Sequence, residues 1–269
     1  MRVKWCEYDL DIRFEAPSYK RAGKVITHKT YPMVRYWVDE EEADGYEKAL
    51  KGKAEVVRVK RGIQGNVSRI KNYILDKSFE DGADVVFLMD DDMRGIYRWV
   101  RCERRLITAE ELGVFVAKYS VVAKDIGARL WGFNINTDKR LYRELVPFST
   151  VAAVLAACVH LRESEIRYDE RLPLKEDYDL YLQHLNKYRV VLRLDFAYYD
   201  MKQSEQEGGC AMYRNLEREK KQFMLLRKKW GSRIVRLDDA STQMPRKNKK
   251  RERLVVDYNP RISVPIKGV

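Results

Sequence analysis

The sequence predicts an α/β protein, with a central, mostly parallel sheet flanked by helices, a C-terminal helical extension and a basic tail. Three observations carry that expectation. Strand-like and helix-like segments alternate from residue 24 to residue 89. One of them, Val85-Val86-Phe87-Leu88-Met89, is apolar at every position, which fits a strand buried on both faces of a sheet. At 269 residues, 45% of them hydrophobic, the chain is long enough for one large core.

Residues 1–23 read as an N-terminal extension with strand potential. Val25-Ile26-Thr27 is a short apolar strand that Tyr31-Pro32 ends, because the residue before a proline is pushed out of helical geometry. Glu40 to Leu50 reads as a helix whose acidic start complements its dipole. Glu55 to Val59 is the second strand. Gly62 and Gly65 bracket a loop, and Asn66 is suited to cap the helix that follows. In that helix Val67, Ile70 and Ile74 fall at i, i+3 and i+7, which gives one face for the sheet. With Val85–Met89 as the third strand, the order is the βαβαβ pattern of a nucleotide-binding half.

Further on, Glu110 to Ile126 reads as a helix and Leu130 to Ile135 as a strand. Val151 to Leu161 is one apolar strand or a pair. Lys175 to Tyr188 is an amphipathic helix, with Tyr178, Tyr181, Leu185 and Tyr188 on one face. Arg189 to Leu194 is a strand, Glu205 to Gly209 a mobile loop, and Tyr213 to Trp230 a strongly charged helix. The expected organisation is an extension (1–23), one catalytic domain (24–240) and a basic tail (241–269).

Composition narrows the function classes. No apolar run approaches the ~18 residues that span a bilayer, and the N-terminus lacks the apolar segment of a signal peptide, so a cytoplasmic location is expected. Cys6, Cys102, Cys158 and Cys210 are scattered, which suits isolated thiols rather than a zinc site or a disulfide framework. The three histidines are equally dispersed. A net charge of +12 and a pI near 9.4 point to a polyanionic partner. The run Arg246 to Arg253 holds six cations and one anion, as a phosphate-binding segment or as a solvated tail.

Two segments carry chemistry. Asp90-Asp91-Asp92 ends the third strand, where α/β sheets bind ligands. Adjacent carboxylates repel, and hard Mg²⁺ or Mn²⁺ would relieve that repulsion through oxygen ligands, with Asp92 and Asp90 nearest the ion. The other reading is an acidic turn. The second segment, Leu174-Lys175-Glu176-Asp177-Tyr178-Asp179-Leu180, opens a helix. It supplies either a general base, Asp177 first and Glu176 second, or an ordinary acidic first turn.

The order strand, Gly-rich turn, helix, strand, Asp-x-Asp resembles the GT-A (Rossmann-like) glycosyltransferase fold. That resemblance implies a nucleotide-sugar donor, a UDP-sugar first, with Asp90 and Asp91 beside it and a divalent cation between Asp-x-Asp and the diphosphate. It puts Thr27 and Tyr31 near the nucleobase, with Tyr31 able to stack on it. Lys71-Asn72 sits where the family often has an Arg-Asn pair, and Arg69 and Asn72 share a helical face toward the nucleotide. The alternative for Arg69 and Lys71 is solvated helix surface. The Glu-Asp-x-Asp of Glu176 to Asp179 is similar to the segment in inverting family-2-like transferases whose aspartate deprotonates the acceptor.

Ile26 to Pro32, Arg61 to Asn66 and Phe87 to Asp92 together resemble the TET-associated glycosyltransferases of phages. Those enzymes glycosylate hydroxymethylated pyrimidines in DNA. The resemblance covers about residues 24 to 210 and is specific over the first hundred. It implies a DNA acceptor, with Trp131, Tyr198 and Tyr199 either gripping an extruded base or filling the core. No histidine follows His184, where many GT-A enzymes have a further metal ligand, which leaves Asp200 or water for that place. A GT-A enzyme acting on a glycan, lipid or protein, and a nucleic-acid-binding protein with a structural acidic cluster, are the competing readings.

Overall fold

The structure is a computed structural model. It describes residues 1–138, 142, 144–201, 209–212, 214–238, 246–247, 254–255 and 258–264. The main sheet has the strand order β4-β3-β2-β5-β10-β8-β11-β6-β7. Its members are β2 (Tyr8–Pro17), β3 (Arg35–Asp39), β4 (Glu55–Val59), β5 (Val85–Leu88), β6 (Met93–Val100), β7 (Glu103–Leu106), β8 (Leu130–Asn134), β10 (Cys158–Leu161) and β11 (Leu192–Met201). Short strands β1 (Arg2–Trp5) and β9 (Phe148–Ser149) pair with β2 and β11. The sheet is parallel through β4, β3, β2 and β5, and again between β8 and β11. β10 runs antiparallel between β5 and β8, and β6–β7 is an antiparallel hairpin at the edge. The α/β architecture read from the sequence is the one found.

Helices α1 (Ala43–Leu50), α2 (Val67–Glu80), α3 (Ala109–Asp125), α4 (Glu176–Tyr188) and α5 (Leu216–Trp230) cover the two faces. On one face α1 and α3 pack through Tyr46, Leu50, Leu112 and Phe115. On the other, α2, α4 and α5 pack through Ile70, Ile74, Leu180, Leu185 and Phe223. β5 feeds both layers by simple alternation: Val85 and Phe87 join the first core, Val86 and Leu88 the second. The uniform apolar run therefore has its physical cause in helices on both sides.

Local signals behave as chemistry requires. Asn66 caps α2, accepting from Ser68 N at 3.0 Å and Arg69 N at 3.3 Å. Thr108 and Glu111 close a reciprocal capping box on α3.

Three expectations are corrected. Residues 1–23 are not peripheral, because β2 lies at the centre of the sheet between β3 and β5. Val25-Ile26-Thr27 is not the first strand; Thr27–Lys29 forms a 3-10 turn, and β2 takes the first-strand place. Of Val151 to Leu161, only Cys158–Leu161 pairs as a strand. The C-terminal segment also returns to the domain. β12 (Val235–Leu237) pairs with β15 (Pro260–Ile262), and Tyr258 is buried against Phe223 of α5. The backbones of β13 (Arg246–Lys247) and β14 (Leu254–Val255) pair, but residues 248–253 of the basic run, and the expected loop at 205–208, lie outside the described residues. Among the described residues, no helix is long and apolar enough to cross a membrane, and Cys6, Cys102 and Cys158 are free.

Candidate active site

The strand order fixes where a ligand can bind. The chain runs β2, β3, β4 in one direction across the sheet, then returns to place β5 on the other side of β2. The connections leaving β2 and β5 therefore diverge, and the crevice beyond their carboxyl ends is the switch point where open α/β sheets take ligands. Asp90-Asp91-Asp92 follows β5 directly into that crevice.

The three aspartates do different things. Asp91 is buried and spoken for by the segment after β2, where Ser18 Oγ donates to its Oδ2 at 2.5 Å and Arg21 Nη1 to its Oδ1 at 2.7 Å. Its carbonyl accepts from Ile26 N at 2.9 Å. Asp90 is different: Oδ2 is enclosed without a hydrogen-bond partner among the described residues. Burial raises its pKa, and Lys71 only partly opposes the rise. Asp92 is buried with Arg21 no closer than 3.9 Å. Burial, then the charges of Asp90 and Asp91, push its carboxyl up to about 7. Two enclosed carboxylates short of positive charge thus stand together at the end of β5.

A second group arrives from across the sheet. Cys158 of β10 pairs with Leu88 of β5 in antiparallel register, so Ala156 and Asp90 occupy the positions two residues beyond that pair. Ala156 N donates to Asp177 Oδ2 at 3.3 Å, and Tyr178 N to Asp177 Oδ1 at 2.8 Å. The start of α4 is thereby brought over the same end of the sheet. Lys71 of α2 lies between the two groups, its Nζ 3.1 Å from Glu176 Oε1. Burial alone would push the Lys71 ammonium down. The surrounding carboxylates, Glu176 first and then Asp90, outweigh it and hold the pKa above the ordinary lysine value. Asp177 is shifted up, by burial and then by Glu176, with Lys71 pulling back. A carboxylate whose basicity is raised, held by two backbone N–H groups, is the kind of group that takes a proton from a hydroxyl.

The structure separates the residues expected at the site. Asp90, Glu176 and Asp177 come together around Lys71, with Asp92 beside Asp90. Thr27 and Tyr31 do not face the crevice. Thr27 is fully buried, its hydroxyl donating to Asp90 O at 2.6 Å and accepting from Met93 N at 3.0 Å, so it shapes the aspartate turn. Tyr31 is fully buried, its hydroxyl donating to Ile107 O at 2.9 Å and accepting from Ile96 N at 2.8 Å, which leaves no face for a nucleobase. Arg69 and Asn72 do share a face of α2, but that face grips the loop before α4. Arg69 Nε reaches Glu170 at 2.9 Å, and Asn72 exchanges hydrogen bonds of 2.8 and 2.9 Å with the Tyr168 backbone. Lys71, about 100° round the helix from Asn72 and away from Arg69, is the α2 residue that enters the site.

The aromatics divide as well. Trp131 and Tyr199 are core residues, bonded to Ser120 Oγ (3.0 Å) and Leu155 O (3.1 Å). Tyr198 is buried under the β6–β7 hairpin, stacked on Tyr97. Asp200 is held by Arg94 at 3.5 Å and Arg104 at 3.7 Å. The sequence reading missed Ser18, Arg21 and the Cys158–His160–Tyr168 cluster behind Lys71, with contacts of 3.1 to 3.4 Å. Nothing in their local sequence marks them, because their partners lie far along the chain.

Among the described residues no three His, Cys, Asp or Glu side chains converge as a preformed metal cage. A hard divalent cation does not need one. Mg²⁺ keeps several waters and binds through one or two carboxylates plus substrate phosphates. Asp90, with an unpartnered enclosed oxygen, and Asp92, with its raised pKa, fit that donor set, whereas Asp91 is already neutralised by Arg21.

No family model matches the chain, and no curated protein matches it in sequence. Solved structures do match in shape. Glucosyl-3-phosphoglycerate synthase from Mycobacterium tuberculosis, in complex with Mg²⁺ and uridine diphosphate, superposes with a TM-score of 0.52 at 10% identity, covering 85% of this chain and 83% of that one. The same enzyme with Mn²⁺, uridine diphosphate and glucosyl-3-phosphoglycerate gives 0.51 at 11% identity, over 86% and 85%. S. aureus TarS 1-349 gives 0.43 at 10% identity, and the chain spans 59% of its length. At these identities the likeness concerns the fold, and the fold of this chain is the GT-A fold of the glycosyltransferases it superposes on.

Proposed function

We propose that this protein is a metal-dependent glycosyltransferase that moves a sugar from a nucleotide-sugar donor, a UDP-sugar first, to a hydroxymethylated pyrimidine base in DNA with inversion. The observation that carries the reading is the meeting of Asp90 with Glu176 and Asp177 across Lys71 at the switch point of the sheet, with Asp92 beside Asp90. A donor diphosphate set against Asp90 and Asp92 would need a cation between the negative charges, and the mycobacterial enzyme of like fold binds uridine diphosphate with Mg²⁺ or Mn²⁺.

Asp90 and Asp92 would hold the cation, which when bound supplies positive charge for the departing diphosphate. The chain's own groups do the rest. The acceptor oxygen forms a bond to the anomeric carbon as the bond from that carbon to the diphosphate breaks, and Asp177 takes the hydroxyl proton. Two backbone donors and the Lys71–Glu176 pair keep the Asp177 carboxylate oriented. Thr27 and Arg21 hold the aspartate turn against the charge it gathers.

The DNA acceptor is supported by the net charge of +12 and by motif order, and it places the enzyme in the cytoplasm with its substrate. The direct test is incubation of DNA containing hydroxymethylated or unmodified pyrimidine with a panel of nucleotide sugars and Mn²⁺, read by mass spectrometry of the released nucleosides. A hexose adduct on the hydroxymethylated base alone is the expected result. Donor hydrolysis without any DNA adduct would move the acceptor to a glycan, lipid or protein.

A further inference from the structure

The hairpin β6–β7 starts directly after Asp92 and runs outward from the candidate cation site to a turn at Arg101-Cys102, about 25 Å along the strand at ~3.3 Å per residue, so a strand lying along it would extend away from that site. Its sequence, Met93 to Leu106, holds Arg94, Arg98, Arg101, Arg104 and Arg105 against the single acid Glu103. The register sets Arg98 directly opposite Arg105, and Trp99 opposite Arg104. Like charges facing each other across a ladder destabilise it, and one neighbouring carboxylate, Glu111, serves both Arg98 (3.5 Å) and Arg105 (3.6 Å). Asp200 is likewise shared by Arg94 and Arg104. These distances are long for charge-assisted bonds, so the internal acids do not saturate the guanidinium forks. Guarding a sheet edge needs one or two charges, not a facing arginine pair.

The other face of the hairpin is aromatic. Tyr97 stacks on Tyr198 with ring centroids 5.6 Å apart, Trp99 lies 5.3 Å from Tyr198 and stacks on Tyr142 at 6.3 Å, and the Arg104 guanidinium sits 3.6 Å over the Tyr97 ring. These rings already pack on one another, so the face that carries Arg98 and Arg105 is the one that offers charge to a nucleic-acid backbone.

We infer that the β6–β7 hairpin seats the backbone of the DNA strand flanking the base to be modified, with Arg98, Arg101 and Arg105 on phosphates. This rests on the DNA reading of the acceptor. Its test is the binding of fluorescent, unmodified single-stranded DNA, and of heparin, to the full chain across a salt series, without donor, for wild type and Arg101→Ala/Arg105→Ala. Mn²⁺-dependent donor hydrolysis serves as the check on folding. Loss of two phosphate contacts should shallow the log–log salt slope for DNA by about 1.4, with heparin binding changed less and donor hydrolysis unchanged. A wild type that binds steeply with an arginine variant of equal slope overturns the hairpin assignment and leaves the DNA acceptor standing. A wild type without salt-sensitive DNA binding overturns both. Equal losses for DNA and heparin in the arginine variant would make the hairpin a general polyanion surface and reject the DNA seat.

Discussion

Replacing Lys71 with methionine removes the ammonium that the structure sets between Glu176, Asp90 and Asp177. The Lys71 and Glu176 side chains are only 6% and 14% exposed, so the partner left behind has little water to turn to. Breaking a buried pair from one side costs about 3–5 kcal/mol. For a domain near this size each kcal/mol is worth about 2–4 °C, which puts the expected loss near 10 °C in Tm. The loss should depend on pH, and its sign follows from linkage. Asp90 and Asp177 already have raised values, and without Lys71 they rise further. A carboxyl raised in the folded state holds more protons folded than unfolded. Stability is then greatest below the ordinary carboxylate range and falls as pH climbs through the raised value. Urea unfolding of wild type, Lys71→Met and Lys71→Met/Glu176→Gln at pH 5 and pH 8 reads this directly. The single variant should lose far more at pH 8 than at pH 5, and the double should recover part of it. A single variant as stable as wild type at pH 8 would refute the idea that Lys71 is the buried counter-ion of the site.

Asp177→Asn should leave nucleotide binding nearly intact while lowering transfer by roughly two to four orders of magnitude. In the wild type the transfer rate should rise with pH through a carboxylate inflection above the ordinary range, because the base must be ionised and its pKa is raised; the variant should lose that inflection. Equal loss of nucleotide affinity would assign Asp177 to the donor instead. Thr27→Val strands the buried Asp90 carbonyl and Met93 N–H, and should cost about 1–3 kcal/mol in urea unfolding, with Thr27→Ser near neutral. A valine variant of wild-type stability would mean the aspartate turn holds its shape without that clamp.

What the sequence made legible was mostly local. Asn66 announces α2 because a capping amide acts within three residues. β5 is plain because helices on both sides demand an apolar residue at every position. The carboxylates of the site were readable for a related reason: acids directly after such a strand have no solvated face of their own. β2 was hidden because Asp9, Asp11, Arg13 and Glu15 give it the polar alternation of a peripheral strand. Glu15 is in fact fully buried, held by Arg35 and by Trp37 Nε1 at 2.6 Å. Tyr31 and Asn72 were misjudged for the opposite reason. Their partners, Ile96 and Ile107 for the one and Tyr168 for the other, are remote in sequence, and a polar group satisfied at long range looks free when read along the chain.

The central claim is that Asp90 and Asp92 hold a divalent cation beneath a nucleotide diphosphate. Calorimetric titration of uridine diphosphate into the full chain, with Mn²⁺ and with chelator, for wild type and Asp92→Asn, tests it most directly. Wild type should bind in Mn²⁺ and lose that affinity in chelator, while Asp92→Asn, folded as judged by circular dichroism, should bind weakly in both. Binding that is equally tight with chelator, or that Asp92→Asn leaves untouched in Mn²⁺, would contradict the account.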